Sequence, residues 1–310
     1  MRIGLVGGGF AAVRAAVEKA LADAGQTDVE IVDLDSEAPV AVDVLCPQGG
    51  TVDAALMDAT GARMIQQFGV GLSGVDLAAA AQRGIPVDNV SGVDSGNASA
   101  VAELAMLHLL ALLRRFEQAR ANVAYQRVGV PSGTTLAGRT VGVLGVGDIG
   151  MELIPRLRAF GAVPIGIGRR ALAEMPRAAA VLDDAHYGTD LLAVAPRCDD
   201  LVVGCPLTAE TRGLVGAEVL AALRPDGYVV NVARGGVVDK DALLAALRSG
   251  RLAGAGLDVT WTEPIAPDDP LLAERVAVTP HVGGVTESSY AGIAAGLVAS
   301  LQRHLGERLA

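Results

Sequence analysis

Residues 140–150, TVGVLGVGDIG, carry an apolar strand-like run straight into Gly145-x-Gly147-x-x-Gly150. A turn that cradles a dinucleotide pyrophosphate needs a first glycine for the bend and a second for close approach of the anion. A third small residue lets the helix pack on its strand, and the helix N-terminus faces the phosphates. The chain opens on a second candidate, MRIGLVGGGFAA, where Gly7-x-Gly9-x-x-Ala12 follows another apolar run. Behind it, VEIVDLD places Asp33 at a strand end, near the position that holds a ribose hydroxyl. A lone fingerprint does not separate a nucleotide turn from a plain strand-to-helix bend, so the two are told apart by the residues downstream of each.

Beyond Gly150, four of the strand-like segments end in a residue able to do chemistry. LVVGCPLTAETRGLV sets Cys205 after its strand, and YVVNVARGGVVD sets Arg234. AGAGLDVTWTEP sets Asp258 and then Glu263, and VAVTPHVGG sets His281. In a parallel sheet these side chains share the carboxyl edge with Gly145–Gly150, where open α/β sheets bind ligands. The N-terminal turn has no comparable series behind it.

At 310 residues the chain is long for one core and fits two domains. It is 51% hydrophobic with 39 glycines and few aromatics, a composition suited to Val- and Leu-rich parallel strands under Ala-rich helices. A net charge of −10 argues against binding nucleic acid, whose phosphates are held by Lys and Arg. Three cysteines (Cys46, Cys198 and Cys205) without a C-x-x-C fit a reducing compartment and provide no metal cage. Mean hydropathy is +0.41. The best candidate span, Ala100 to Leu113, is interrupted by Glu103 and His108 and is shorter than the ~20 residues a bilayer requires. With Arg14 and a glycine triplet breaking the N-terminal apolar run, a signal peptide fits no better. The reading is a soluble, cytoplasmic protein without membrane, metal or nucleic-acid partner.

Strands are expected at RIGLV, VEIVDL, VDVLC, RMIQQF and PVDNV, and after Thr140 at TVGVLG, VPIGIG, LVVGC, YVVNV, GAGLDV and VAVT. Helices alternate with them, one over Lys240–Ser249 capped by Asp239 and ended by Gly250. A long helix near Ser99–Gln118, with Asn97 as its cap, precedes the Gly-, Ser- and Thr-rich YQRVGVPSGTTLAG, which separates the two series. The fold class is α/β, with two doubly wound parallel-sheet domains.

As a set, the motifs G-x-G-x-x-G, P-L-T-x-E-T, N-x-A-R-G-G-x-V-D, L-D-V-x-x-x-E-P and T-P-H-x-G-G resemble the D-isomer-specific 2-hydroxyacid dehydrogenases. That family includes phosphoglycerate dehydrogenases, glyoxylate/hydroxypyruvate reductases and formate dehydrogenase. The resemblance implies a flavodoxin-like substrate domain over residues 1–97 and 285–310 and a Rossmann dinucleotide-binding domain over 98–284. It makes the first glycine turn structural, returns a helix near Thr286–Leu305 to the first domain, and sets the catalytic cleft between domains that close on binding.

Reduction of a 2-oxo acid needs an anion holder, a proton donor and a hydride, the last from the cofactor. Arg234 has the planar fork for a carboxylate and adjacent carbonyl oxygen; the plain alternative is a structural ion pair. His281 is the natural proton carrier, although a lone histidine after Pro280 also reads as a packed loop residue. Glu263 would orient His281 and stabilise the imidazolium, although an isolated glutamate before Pro264 also reads as solvated. Their order and spacing match the family, with Glu263 standing 18 residues before His281. The resemblance further implies backbone contacts from Gly145, Gly147, Asp148 and Ile149 to the pyrophosphate. Cys205, Val232, Ala233 and Gly283 would line the cofactor path, and Asp258 would hold the carboxamide. The loop Leu72-Ser73-Gly74 would give N–H groups to the substrate carboxylate.

The strand AVPIGIGRR ends at Gly168, Arg169 and Arg170, where an NAD enzyme carries an acidic residue for the ribose. Glycine there leaves room for a 2′-phosphate and an arginine can bind it, so NADP is expected over NAD, with Arg169 dominant. Val70 and Pro47 stand where phosphoglycerate-oxidising members place basic residues, and the chain ends at Ala310 without space for a regulatory domain. The expected substrate is therefore a small 2-oxo acid such as glyoxylate or hydroxypyruvate. The alternatives are a phosphoglycerate dehydrogenase-like enzyme, a cofactor-binding regulator of the same fold, and an oxidoreductase using the N-terminal turn. The apolar run Ala98–Leu113 leads to the expectation of a homodimer through that helix.

Overall fold

β1 (Arg2–Val6) reads RIGLV and buries its last four residues, as a parallel strand covered on both faces should. The computed structural model describes residues 1–7, 11–35 and 39–306. From β1 the chain continues through α1 (Ala11–Asp23), β2 (Glu30–Asp33), β3 (Val44–Pro47), α2 (Ala54–Thr60), β4 (Met64–Gln66), α3 (Leu77–Gln82) and β5 (Val87–Asp88). Next come α4 (Asn97–Leu113), α5 (Phe116–Ala124), β6 (Thr140–Leu144), α6 (Asp148–Ala159), β7 (Val163–Ile167), α7 (Pro176–Ala179) and β8 (Tyr187–Gly188). The remainder is α8 (Leu191–Val194), β9 (Asp200–Val203), α9 (Ala217–Ala222), β10 (Gly227–Asn231), α10 (Lys240–Arg248), β11 (Leu252–Leu257), β12 (Val276–Val278) and α11 (Glu287–Leu305).

Two compact units result, Met1–Asn97 with Val285–Ala310, and Ala98–Gly284. In the first, a five-stranded sheet runs in the order β2-β1-β3-β4-β5, the flavodoxin-like arrangement, with every pair parallel. One face buries Ile3, Val44 and Met64 against Val17 of α1 and Leu297 of α11. The other buries Leu45 and Ile65 against Met57 of α2 and Ala80 of α3.

In the second unit, seven parallel strands run in the order β12-β11-β10-β9-β6-β7-β8. The strand order reverses between β6 and β9, so the topological switch point of a Rossmann-type sheet falls there. One face carries Leu220, Leu243 and Leu271, and the other carries Leu109, Leu153 and Ile154. Asp239 caps α10 through the Ala242 N–H (2.9 Å), and Gly250 comes after it in the left-handed region.

Two local expectations are corrected. The long helix breaks at Arg115, whose φ of 51° is left-handed, so α4 and α5 are separate. Asn97 is the first residue of α4, and its side-chain amide donates to Ser289 Oγ (3.2 Å) rather than capping. The Gly-rich stretch after Tyr125 lies inside the second unit, between α5 and β6. Among the described residues no single helix is long and apolar enough to cross a membrane. α4 and α5 reach that length only together, bent by 58°.

Candidate active site

The three glycines after β6 do three different things. Gly145 has φ of +101°, and a Cβ there would stand 2.7 Å from the Cys205 nitrogen. A Cβ on Gly150 would stand 2.2 Å from the Gly145 carbonyl oxygen, so this glycine lets α6 close on β6. Gly147 precedes α6 and faces open space. The N–H groups of Gly147, Asp148 and Ile149 donate to no described residue. These are the free donors of a helix N-terminus, at the sheet's switch point, and they fit a pyrophosphate.

The N-terminal turn is built differently. The Gly7 N–H donates to both carboxylate oxygens of Asp35 (3.0 and 2.9 Å). A Cβ on Gly7 would stand 1.9 Å from the Gly50 nitrogen. The chain's own carboxylate therefore takes an anion's place at Gly7, and Asp33 Oδ1 accepts from the Asp35 N–H (3.0 Å). Gly9 lies outside the described residues.

The parallel strands of the second unit bring the residues of the carboxyl edge together as expected. His281 Nδ1 lies 2.7 Å from Glu263 Oε2, while Glu263 Oε1 accepts from the Thr260 N–H (3.0 Å). Partial burial pushes the Glu263 carboxyl up, but its bonds to His281 and Thr260, with Arg234 nearby, outweigh burial and hold it below its usual value. An ionised carboxylate only accepts, so Nδ1 carries the hydrogen and Nε2 is left for the reacting group. Arg234 is half-buried, with Nη1 donating to the Ala233 carbonyl (2.6 Å). Its loop is clamped by Asn231, wholly buried, whose amide donates to the Arg234 carbonyl (2.9 Å) and whose Oδ1 accepts from the Ala233 N–H (3.1 Å). Asn231 is not among the residues singled out from the sequence, although the first position of N-x-A-R-G-G was the available signal.

Asp258 follows directly on β11 and is fastened by the loop after β12. It is 2% exposed, and Oδ1 accepts from Thr279 Oγ1 (2.7 Å) and the Val282 N–H (2.8 Å). Its Oδ2 accepts from the Gly283 N–H (2.8 Å). Three of about four acceptor sites thus fasten the loop that carries His281. Thr279 Oγ1 also meets Nε2 of His108, a buried residue of α4 to which the sequence motifs assign no role. Cys205, Val232 and Ala233 are buried beyond the ends of β9 and β10, and burial pushes the Cys205 thiol up to about 11.

Arg169 and Arg170 are exposed after β7, and neither guanidinium donates to a described residue. Arg169 is electrostatically close to Cys205 and Glu210. A Cβ on Gly168 would stand 2.5 Å from the Tyr187 hydroxyl, which donates to the Arg170 carbonyl (2.6 Å). The missing acid thus has a packing cause as well. In the first unit, Gly74 packs on Gly50, and the N–H groups of Leu72, Ser73 and Gly74 donate to no described residue.

This is an α/β protein with a free-donor glycine turn at a Rossmann switch point and a histidine–carboxylate dyad beside an arginine. The model of the D-isomer specific 2-hydroxyacid dehydrogenase NAD binding domain matches residues 106–283, and the chain belongs to that family. It is 36% identical over 256 residues to hydroxyphenylpyruvate reductase of Plectranthus scutellarioides, covering 81% of this chain and 78% of that protein. It is 40% identical over 253 residues to D-3-phosphoglycerate dehydrogenase of Mycobacterium leprae, covering 80% of this chain and 46% of that one. The chain therefore spans about half the length of the phosphoglycerate dehydrogenase it matches. A solved NADPH-dependent glyoxylate/hydroxypyruvate reductase from Sinorhizobium meliloti is 31% identical with a TM-score of 0.80, covering 98% of this chain and 95% of that one.

Proposed function

We propose that the protein reduces a small 2-oxo acid to the D-2-hydroxy acid, with NADPH preferred to NADH. The observation that carries this is the 2.7 Å His281–Glu263 dyad beside Arg234, on the sheet edge that also holds the free N–H groups after Gly145. A reduced nicotinamide, when bound, supplies the hydride taken by the carbonyl carbon. Gly147, Asp148 and Ile149 hold the pyrophosphate through their backbone, and Cys205, Val232, Ala233 and Gly283 line the path beside it. Asp258 offers its remaining acceptor site to the carboxamide. The guanidinium of Arg234 binds the substrate carboxylate and carbonyl oxygen, and His281 Nε2 gives that oxygen its proton. The ionised Glu263 stabilises the imidazolium before transfer and fixes the ring after it. In the first unit, the three free N–H groups of Leu72, Ser73 and Gly74 form a further carboxylate holder.

Arg169 and Arg170 follow β7 and their guanidinium groups donate to no described residue, which supports the choice of NADPH. The solved reductase at 31% identity is likewise described as NADPH-dependent. Uncharged Val70 and Pro47 favour glyoxylate or hydroxypyruvate over a phosphorylated acid. We further propose a homodimer and a cytoplasmic location. Steady-state kcat/KM for glyoxylate, hydroxypyruvate and 3-phosphohydroxypyruvate with each reduced nicotinamide tests the reading. Turnover of none of them would remove it, and a preference for the phosphorylated acid would reverse the substrate assignment.

A further inference from the structure

We propose that His108 is a positioning residue for the reaction: through Thr279 it sets the Asp258 carboxylate and thereby the loop that presents His281. This rests on the assignment of His281 as proton carrier. His108 is 3% exposed, on a face of α4 that also carries the buried Val101, Ala105 and Leu112. An imidazole buried among such residues costs stability unless it is hydrogen-bonded. Gly256 of β11 makes the space, since a Cβ there would stand 2.7 Å from His108 Cβ.

The direction of the hydrogen-bond chain is set by what each group can do. The Asp258 carboxylate, when ionised, only accepts, so the Thr279 hydroxyl spends its one hydrogen on Oδ1 at 2.7 Å. Toward His108 Nε2, at 3.0 Å, Thr279 Oγ1 can then only accept, so Nε2 carries the hydrogen. Burial pushes the imidazole pKa down against the opposing charge of Asp258, which suits a neutral ring donating from Nε2. Asp258 passes the constraint on, because its carboxylate takes the N–H groups of Val282 and Gly283, and its carbonyl takes that of His281 (2.8 Å). His281 has φ of 54°, a left-handed conformation that a non-glycine residue keeps only where its surroundings enforce it. The three-member chain from α4 is one such enforcement, and it places the ring that moves the proton.

Amide hydrogen exchange at Val282 and Gly283 and steady-state kinetics, both on the full chain, test this. His108→Met fills the space without a donor, His108→Asn is too short to reach Thr279, and His108→Gln can place an N–H where Nε2 stands. His108→Met and His108→Asn should raise exchange at both amides and lower kcat about tenfold, the loss of one buried hydrogen bond. Because Asp258 and Gly283 also face the cofactor in this reading, its KM should rise together with the fall in kcat, and His108→Gln should recover most of both. In a Thr279→Val background, His108→Met should add no further loss. Unchanged exchange in His108→Asn, or Asn and Gln variants that behave alike, would overturn the proposal even if the Met variant does not fold. His281→Ala keeps the backbone chain. Full turnover by that variant would instead remove the proton-carrier assignment, while exchange at Val282 and Gly283 still decides the role of His108.

Discussion

At the scale of single residues, charge placement decides the chemistry. Glu263 is held ionised by two hydrogen bonds and Arg234, so an anion faces His281 across the neutral range. Glu263→Gln keeps the shape and removes the anion. The imidazolium then loses its stabilising partner, and the limb of the reduction profile that falls as pH rises should move to lower pH. A profile superimposable on wild type would show that the dyad does not carry the proton. His281→Ala should cost about 10²–10⁴ in kcat with cofactor affinity little changed, as loss of a general acid does. For the coenzyme end, an Arg169→Ala/Arg170→Ala double variant should lose about ten- to a hundredfold in NADPH-over-NADH preference, the value of charge-assisted bonds to a phosphate. An unaltered kcat/KM ratio would sink that assignment. These residues were legible because parallel strands fix where a strand-end side chain points. Asp258 was legible as a position but not as an arrangement, since nothing in L-D-V reveals that two backbone N–H groups 24 and 25 residues on would fold back to its carboxylate. His108 read only as an interruption in an apolar run, because its partner Thr279 lies 171 residues away.

At the scale of elements, helices with chemical punctuation were readable and those without it were not. α10 begins and ends as Asp239 and Gly250 require. The break at Arg115 carries no glycine or proline signal, and β8 is two residues long, held between turns by pairing with β7. The amino edge of the second sheet depends on a device that periodicity cannot show. Arg139 donates from two nitrogens to the buried Asp200 (2.7 Å each), and Asp200 also accepts from the Tyr228 N–H (3.0 Å). Burial pushes the Asp200 carboxyl up against the pull of Arg139. Asp200→Ala strands a part-buried guanidinium and should cost about 3–5 kcal/mol in urea unfolding, with cofactor affinity of the folded protein unchanged. In the first unit, Asp88 of β5 holds α11, accepting from Ser300 Oγ (2.5 Å) and Arg303 (3.0 Å). Burial alone would raise its carboxyl, but these bonds and the Asn89 N–H keep it below the usual 3.8. A folded value below the unfolded one means that this tether contributes above 3.8 and is lost as pH falls through the folded value. Asp88→Asn should therefore lower the urea midpoint near neutral pH, and the difference from wild type should shrink as pH falls through the folded value of Asp88.

At the scale of the whole molecule, both sheets arise from alternating strand and helix patterns, whereas assembly depends on surface left over after folding. The run Ala98–Leu113 looked too apolar for a single intramolecular face. Folding uses most of it: ten residues of α4 are buried, among them Val101, Leu109 and Leu113 in the core of the second unit. The surplus lies further along the chain. Leu107, Phe116, Val123, Tyr125, Val128 and Val130 are all about half exposed or more, with Val128 at 96%. So many large apolar side chains left in water along one stretch are costly unless a partner covers them. A second copy is the simplest cover, since an isologous pairing places the same stretch against itself. The proposed dimer therefore depends on α5 and the segment after it more than on α4. Light scattering at micromolar concentration should give twice the chain mass, and a Val123→Glu/Val128→Glu variant should give the chain mass without loss of the folded circular-dichroism signal. A wild-type monomer at that concentration would reject the dimer. A variant that stays dimeric would move the interface elsewhere on the surface.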